Sequence, residues 1–142
     1  MKTFRLSTIF FLSFFMLTLV SCDKDDDKDK EPTKTALLTA KPWQGNRILV
    51  DGEDLTSLFD MDDTNITFNK NGTYLFELDG ETDNGTWELT SNEQKLLMDK
   101  DTDGEATVDI LKLSNTILNI KWSEEDPDTG EEYSIELRLL NE

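Results

Sequence analysis

The chain has 142 residues, 31 of them acidic and 14 basic, with one cysteine and no histidine, for a formal charge of −17. That charge repels nucleic acid phosphates and anionic headgroups, so DNA, RNA and direct headgroup binding are disfavoured. A lone cysteine cannot close an internal disulfide, and without histidine the Ser-His-Asp and Cys-His nucleophiles and the usual zinc ligands are missing.

The first predicted element is a signal peptide over residues 1–21. Lys2 and Arg5 precede an apolar run from Ile9 to Val20 broken only by Ser13 and Thr18. At 1.5 Å rise, twelve residues fall well short of a ~30 Å hydrocarbon core, so the run reads as a secretory signal rather than a permanent span. It ends Leu19-Val20-Ser21-Cys22, which resembles the bacterial lipobox. That resemblance implies a lipidated Cys22 as the first mature residue, and two or more acyl chains make a durable anchor where one is marginal. Both bases before the cysteine are lost on cleavage, leaving 31 acids against 12 bases, a charge of −19. Residues 22–34 are expected to form an acidic, disordered tether, since Asp23 through Glu31 contains no apolar residue to offset chain entropy. The acidic run resembles the surface-export signal of Bacteroidota lipoproteins. The expected location is therefore the outer membrane, on the cell surface. The periplasmic face is the alternative, and in enteric bacteria an Asp directly after the cysteine instead suggests inner-membrane retention.

Residues 35–142 read as one all-β domain. Thr35–Ala40 suits a short helical turn, and Leu55–Phe59, with Asp54 as its N-cap, suits another. Short apolar stretches are separated by Asp51-Gly52, Asn71-Gly72, Asp79-Gly80, Asn84-Gly85, Asp103-Gly104 and Thr129-Gly130, pairs that tolerate the positive φ of tight hairpin turns. Between them the apolar residues alternate: Ile66 and Phe68; Tyr74, Phe76 and Leu78; Trp87 and Leu89; Tyr133, Ile135, Leu137 and Leu139. Period two places each set on one face of a half-buried antiparallel sheet. In Leu96–Met98, Val108–Leu113 and Ile117–Trp122, adjacent apolar residues call for a bulge or burial on both faces. Strands are predicted over 43–50, 64–69, 72–78, 84–90, 94–99, 105–113, 115–123 and 131–140. Eight short-linked strands suit a small antiparallel up-and-down barrel, which leaves no exposed edge; a sandwich of the same strands is the alternative, though it more often needs a long crossover.

In order along the chain, Leu37-Leu38 with Lys41-Pro42-Trp43, then Ile66–Tyr74, Asn84–Leu89 and Ile117–Trp122, resemble the lipocalin-like lipoproteins of Bacteroidota. The resemblance implies a lipocalin-like barrel that binds a small apolar or amphipathic ligand. Lys41 departs from it, since lipocalins carry Gly two places before the Trp, and here Gly45 comes after. Lipocalins also pack a last-strand Arg against that Trp. Arg138 is the candidate, yet alternation sets it opposite Tyr133, Ile135, Leu137 and Leu139.

The candidate ligand contacts are Phe68, Tyr74, Phe76, Trp87, Trp122 and Tyr133, with core filling the competing reading because an eight-stranded interior is barely wider than its own side chains. Trp43 reads as a structural plug. Asp99, Asp101 and Asp103, followed by Gly104, match the opening of a calcium loop, but the closing position falls on Ile110, which cannot ligate. The same segment reads as an acidic hairpin, the favoured interpretation. Close carboxylate pairs arise by chance with 25 acids in the domain, and no motif singles one out, so neither catalysis nor a cofactor is expected. The alternative to ligand binding is a surface module that contacts a protein or glycan through its loops, around a filled core.

Overall fold

Thr33 caps the first element, a five-residue helix, α1 (Lys34–Leu38): its hydroxyl accepts a hydrogen bond from Ala36 N at 3.1 Å. A computed structural model describes residues 31–78 and 80–141. The expected signal peptide, Cys22 and the acidic run up to residue 30 lie outside the described residues. Pro32–Glu142 form one compact unit.

After α1 come nine strands and one 3-10 turn: β1 (Trp43–Val50), β2 (Glu53–Asp54), the turn Thr56–Leu58, β3 (Asn65–Phe68), β4 (Thr73–Leu78), β5 (Glu81–Leu89), β6 (Lys95–Met98), β7 (Ala106–Leu113), β8 (Ile117–Glu125) and β9 (Glu132–Leu140). Every pairing is antiparallel between neighbours, and β1 pairs with both β3 and β9. The result is a closed eight-stranded up-and-down barrel, with β2 a two-residue ribbon on β1. Closure satisfies the edge hydrogen bonds that an open sheet would leave unpaired.

Two local readings are corrected and one strand is added. Asn84-Gly85 is not a turn: it lies within β5, which begins at Glu81 and pairs from there with Leu78. Leu55 rather than Asp54 occupies the cap position of the 3-10 turn. Asp54 instead accepts from Thr56 N at 3.0 Å, a local turn that fixes how the chain leaves β2. β2 itself was not predicted, since two residues carry no period. The adjacent apolar residues of 108–113 resolve as a bulge: the register with β8 shifts between Ile110 and Lys112, turning Leu111 out to solvent.

One end of the barrel is filled. Leu38, Trp43, Leu96, Leu118 and Leu139 are fully buried there, and Phe68 meets Trp87 edge to face with ring centroids 5.3 Å apart. α1 plugs this end: Leu38 caps the core, and its carbonyl accepts the Trp43 indole N–H at 3.0 Å. Arg138 takes no part. It faces outward, opposite Arg47, and donates to Glu136 at 2.7 Å. The β1–β3 seam is only two residue pairs long. Beyond it the segment before β3 presses on β1, with Gly45 N donating to Thr64 O at 2.7 Å. A Cβ at Gly45 would lie 2.6 Å from that of buried Thr64, so the approach requires glycine.

Candidate functional site

The other end of the barrel is hollow. A cavity of ≈ 250 Å³, open to solvent at its mouth, is lined by residues from β3 through β9 and enters the barrel between them. Ile66, Tyr74, Val108, Ile120 and Leu137 are buried and form its floor. Phe76, Met98, Ala106 and Trp122 are half-buried and form its walls. Asp83, Gly104, Ser123 and Glu124 are exposed and form a rim toward solvent. Alternation built the floor and walls: inward residues of β3, β4 and β6 through β9 land on this space, while β5 and the end of β8, with the link at Gly104, supply the polar rim.

Two hydrogen-bonded groups set its polar chemistry. The Tyr74 hydroxyl donates to Asp99 Oδ2 at 2.7 Å, with Asp83 Oδ2 at 3.3 Å on its other side. Asp99 stands just past β6 at φ 50°, and its second oxygen accepts from Thr86 N at 2.8 Å. The carboxylate reaches across because Gly85 stands opposite Tyr74 in the register. A Cβ there would sit 2.6 Å from Asp99 Cγ and closer still to Oδ1. Burial, the Asp99 hydrogen bond and the Asp83 charge all push the Tyr74 hydroxyl well above its ordinary pKa of 10.0, so it stays protonated. At the rim, Glu124 accepts from the Trp122 indole at 2.8 Å and from the Tyr133 hydroxyl at 3.1 Å. That bond and the Glu124 charge raise the Tyr133 pKa.

Of the six aromatic residues singled out in the sequence, Tyr74, Phe76 and Trp122 line the cavity. Phe68 and Trp87 lie in the filled end, the Trp87 indole donating to Asn69 O at 3.1 Å, and are core. Tyr133 meets the rim only through Glu124. Ile66, Met98, Val108, Ile120 and Leu137 are lining residues that the sequence does not single out; alternation places Ile66 and Leu137 on an inward face, while the other three fall in stretches of adjacent apolar residues. Asp83, Asp99 and Glu124 as lining residues left no sequence signal. The calcium-loop triplet does not converge: Asp99 turns to Tyr74 and Thr86, while Asp101 N donates to Glu105 at 2.9 Å. Among the described residues no three His, Cys, Asp or Glu side chains gather to hold a metal ion.

A sequence model of the family described as "Lipocalin-like domain" matches residues 39–120. Among solved structures, bovine odorant binding protein in complex with a selenium-containing odorant is similar at 15% identity, covering 81% of this chain and 76% of that one, with a TM-score of 0.48. The same bovine protein complexed with its natural ligand gives 16% identity, 82% and 77% coverage and a TM-score of 0.48. With undecanal it gives 16%, 82%, 77% and 0.47. No curated protein matches the chain.

Proposed function

The chain belongs to the lipocalin-like domain family, and on that premise we propose that it is a binding protein, held at a bacterial outer membrane by lipid on Cys22, that takes a small apolar or amphipathic ligand into its barrel. The observation that carries the ligand reading is the cavity: an interior filled at one end by Trp43, Phe68 and Trp87 stays open, ≈ 250 Å³, at the other. An apolar cavity of ~150 Å³ holds benzene, so this one suits a ligand of about ten non-hydrogen atoms and is too small for a long-chain lipid. At ~0.5–0.8 kcal/mol per atom, inside the ceiling for tiny ligands, such a molecule binds with Kd from ~1 µM to ~0.2 mM. The floor supplies the driving force, since Ile66, Val108, Ile120 and Leu137 offer apolar surface that a ligand covers on entry.

Native mass spectrometry of the purified protein tests the reading. A discrete extra mass lost on denaturation, or uptake of added small amphipathic molecules with micromolar affinity, supports it. A bare polypeptide that takes up none of them overturns it, and favours recognition through the loops instead.

The anchor reading rests on Leu19-Val20-Ser21-Cys22 behind the apolar run, and on the acidic residues that follow. Cys22→Ala should move the protein from the membrane to the soluble fraction; membrane retention of that variant would refute lipidation. Digestion by protease added to intact cells supports surface display, and protection places the domain on the periplasmic face.

A further inference from the structure

We propose that the ligand carries a cationic amine head, and that the barrel selects against carboxylates such as fatty acids. The inference rests on the ligand-cavity reading above and specifies it. The lining includes three carboxylates, Asp83, Asp99 and Glu124, and no lysine or arginine. The ion pairs Arg47–Asp54, Lys95–Asp109, Lys100–Glu88 and Arg138–Glu136 among the described residues engage other acids, and none of these four includes Asp83, Asp99 or Glu124.

Hydrogen bonding points the same way. Tyr74 has one hydroxyl proton and two carboxylates beside it, at 2.7 and 3.3 Å. The nearer, Asp99, accepts the hydroxyl's hydrogen bond, so the phenol oxygen and Asp83 Oδ2, whose partner oxygen already accepts from Asn84 N at 2.8 Å, keep lone pairs for a further donor. Glu124 adds lone pairs beyond those used by Trp122 and Tyr133. The polar wall therefore asks for a donor, and its charge asks for a positive one. Half-buried Trp122 and Phe76 border the same space, and aromatic faces attract cations. The depth order matches an amphipathic amine: buried aliphatic floor for the tail, aromatic walls, and acceptors toward the rim for the ammonium. A divalent metal fits less well, because these carboxylates do not converge into a group that could hold one among the described residues.

The test compares three probes of one tail length, octylamine, octan-1-ol and octanoate, by isothermal titration on the full protein. One charge-assisted hydrogen bond predicts that octylamine binds about ten-fold tighter than octan-1-ol or better, and that octanoate binds weaker than both. Asp83→Asn and Asp99→Asn should each shrink the amine preference while octan-1-ol affinity holds. Asp83 is exposed, so its variant keeps the fold even if Asp99→Asn does not. Glu53→Gln, exposed on β2, should leave the preference intact. Equal or tighter binding of octan-1-ol or octanoate overturns the amine inference and leaves the cavity reading standing. A preference that survives both variants but vanishes in high salt also overturns it, assigning the effect to the protein's diffuse negative field. If octan-1-ol fails as well, both readings fall together.

Discussion

Replacing Gly85 with alanine tests how the cavity's polar wall is built. The backbone there is not left-handed, and glycine inside a strand costs ~0.5–1 kcal/mol relative to alanine, so without a neighbour the change should stabilise. The neighbour is the Asp99 carboxylate, whose Cγ a new Cβ would approach to 2.6 Å. To make room, Asp99 must give up its bonds to the Tyr74 hydroxyl and to Thr86 N. Hydrogen bonds to a charged group contribute ~1.5–3 kcal/mol each, but the freed carboxylate regains water and Tyr74 can turn to Asp83, so the pair is worth about 2–3 kcal/mol together. Less the alanine gain, Gly85→Ala should destabilise by ~1–2.5 kcal/mol. In an Asp99→Ala background the obstacle is gone, and the same change should be neutral or stabilise by ~0.5–1 kcal/mol. Urea unfolding of the four proteins closes a double-mutant cycle with a coupling of about 2–3 kcal/mol. An equal cost in both backgrounds would show that Asp99 is not what Gly85 accommodates.

Other outcomes follow from the same structure. Trp43→Ala removes a fully buried indole beneath α1 and should cost ~3–5 kcal/mol in urea unfolding; a loss under ~1 kcal/mol would mean that the plug is not structural. Phe68→Ala should cost stability and spare ligand affinity, whereas Phe76→Ala should weaken binding with the smaller loss of stability, since Phe76 is half-buried on the cavity wall. Reversal of that pattern would misplace the site. Tyr74 holds its proton more tightly folded than unfolded, so its contribution to stability is complete below pH 10.0 and lost as pH rises through its raised folded pKa. Native protein should therefore form phenolate at higher pH than urea-unfolded protein, and Tyr74→Phe should remove the later-titrating group. Titration of both tyrosines near pH 10.0 in the native state would refute the buried hydrogen bond.

The strands were legible wherever apolar residues alternate, as in Tyr133, Ile135, Leu137 and Leu139 of β9. They were not legible in the first half of β5, where Glu81-Thr82-Asp83-Asn84 offers no apolar residue to set a period and Asn84-Gly85 imitates a turn. Alternation reports which face a side chain takes but not its depth along the barrel. Phe68 and Phe76 therefore looked equivalent, although one fills the closed end and the other borders the cavity. Asp99 shows a second limit. Its place among alternating oxygens resembles a calcium loop, but the contacts that fix its role, to Tyr74 and Thr86, come from strands 25 and 13 residues away. The missing Trp–Arg cap was readable, since period two already put Arg138 outside.

Methyl-detected NMR during titration with octan-1-ol tests the central claim most directly, because it reports where a ligand sits as well as whether it binds. The account predicts saturable shifts at Ile66, Met98, Val108, Ile120 and Leu137, with Leu38, Leu96 and Leu118 in the filled end unmoved. Shifts confined to exposed Leu58 and Leu111, or none at saturating probe, would contradict it and return the hollow end of the barrel to the status of an unused space.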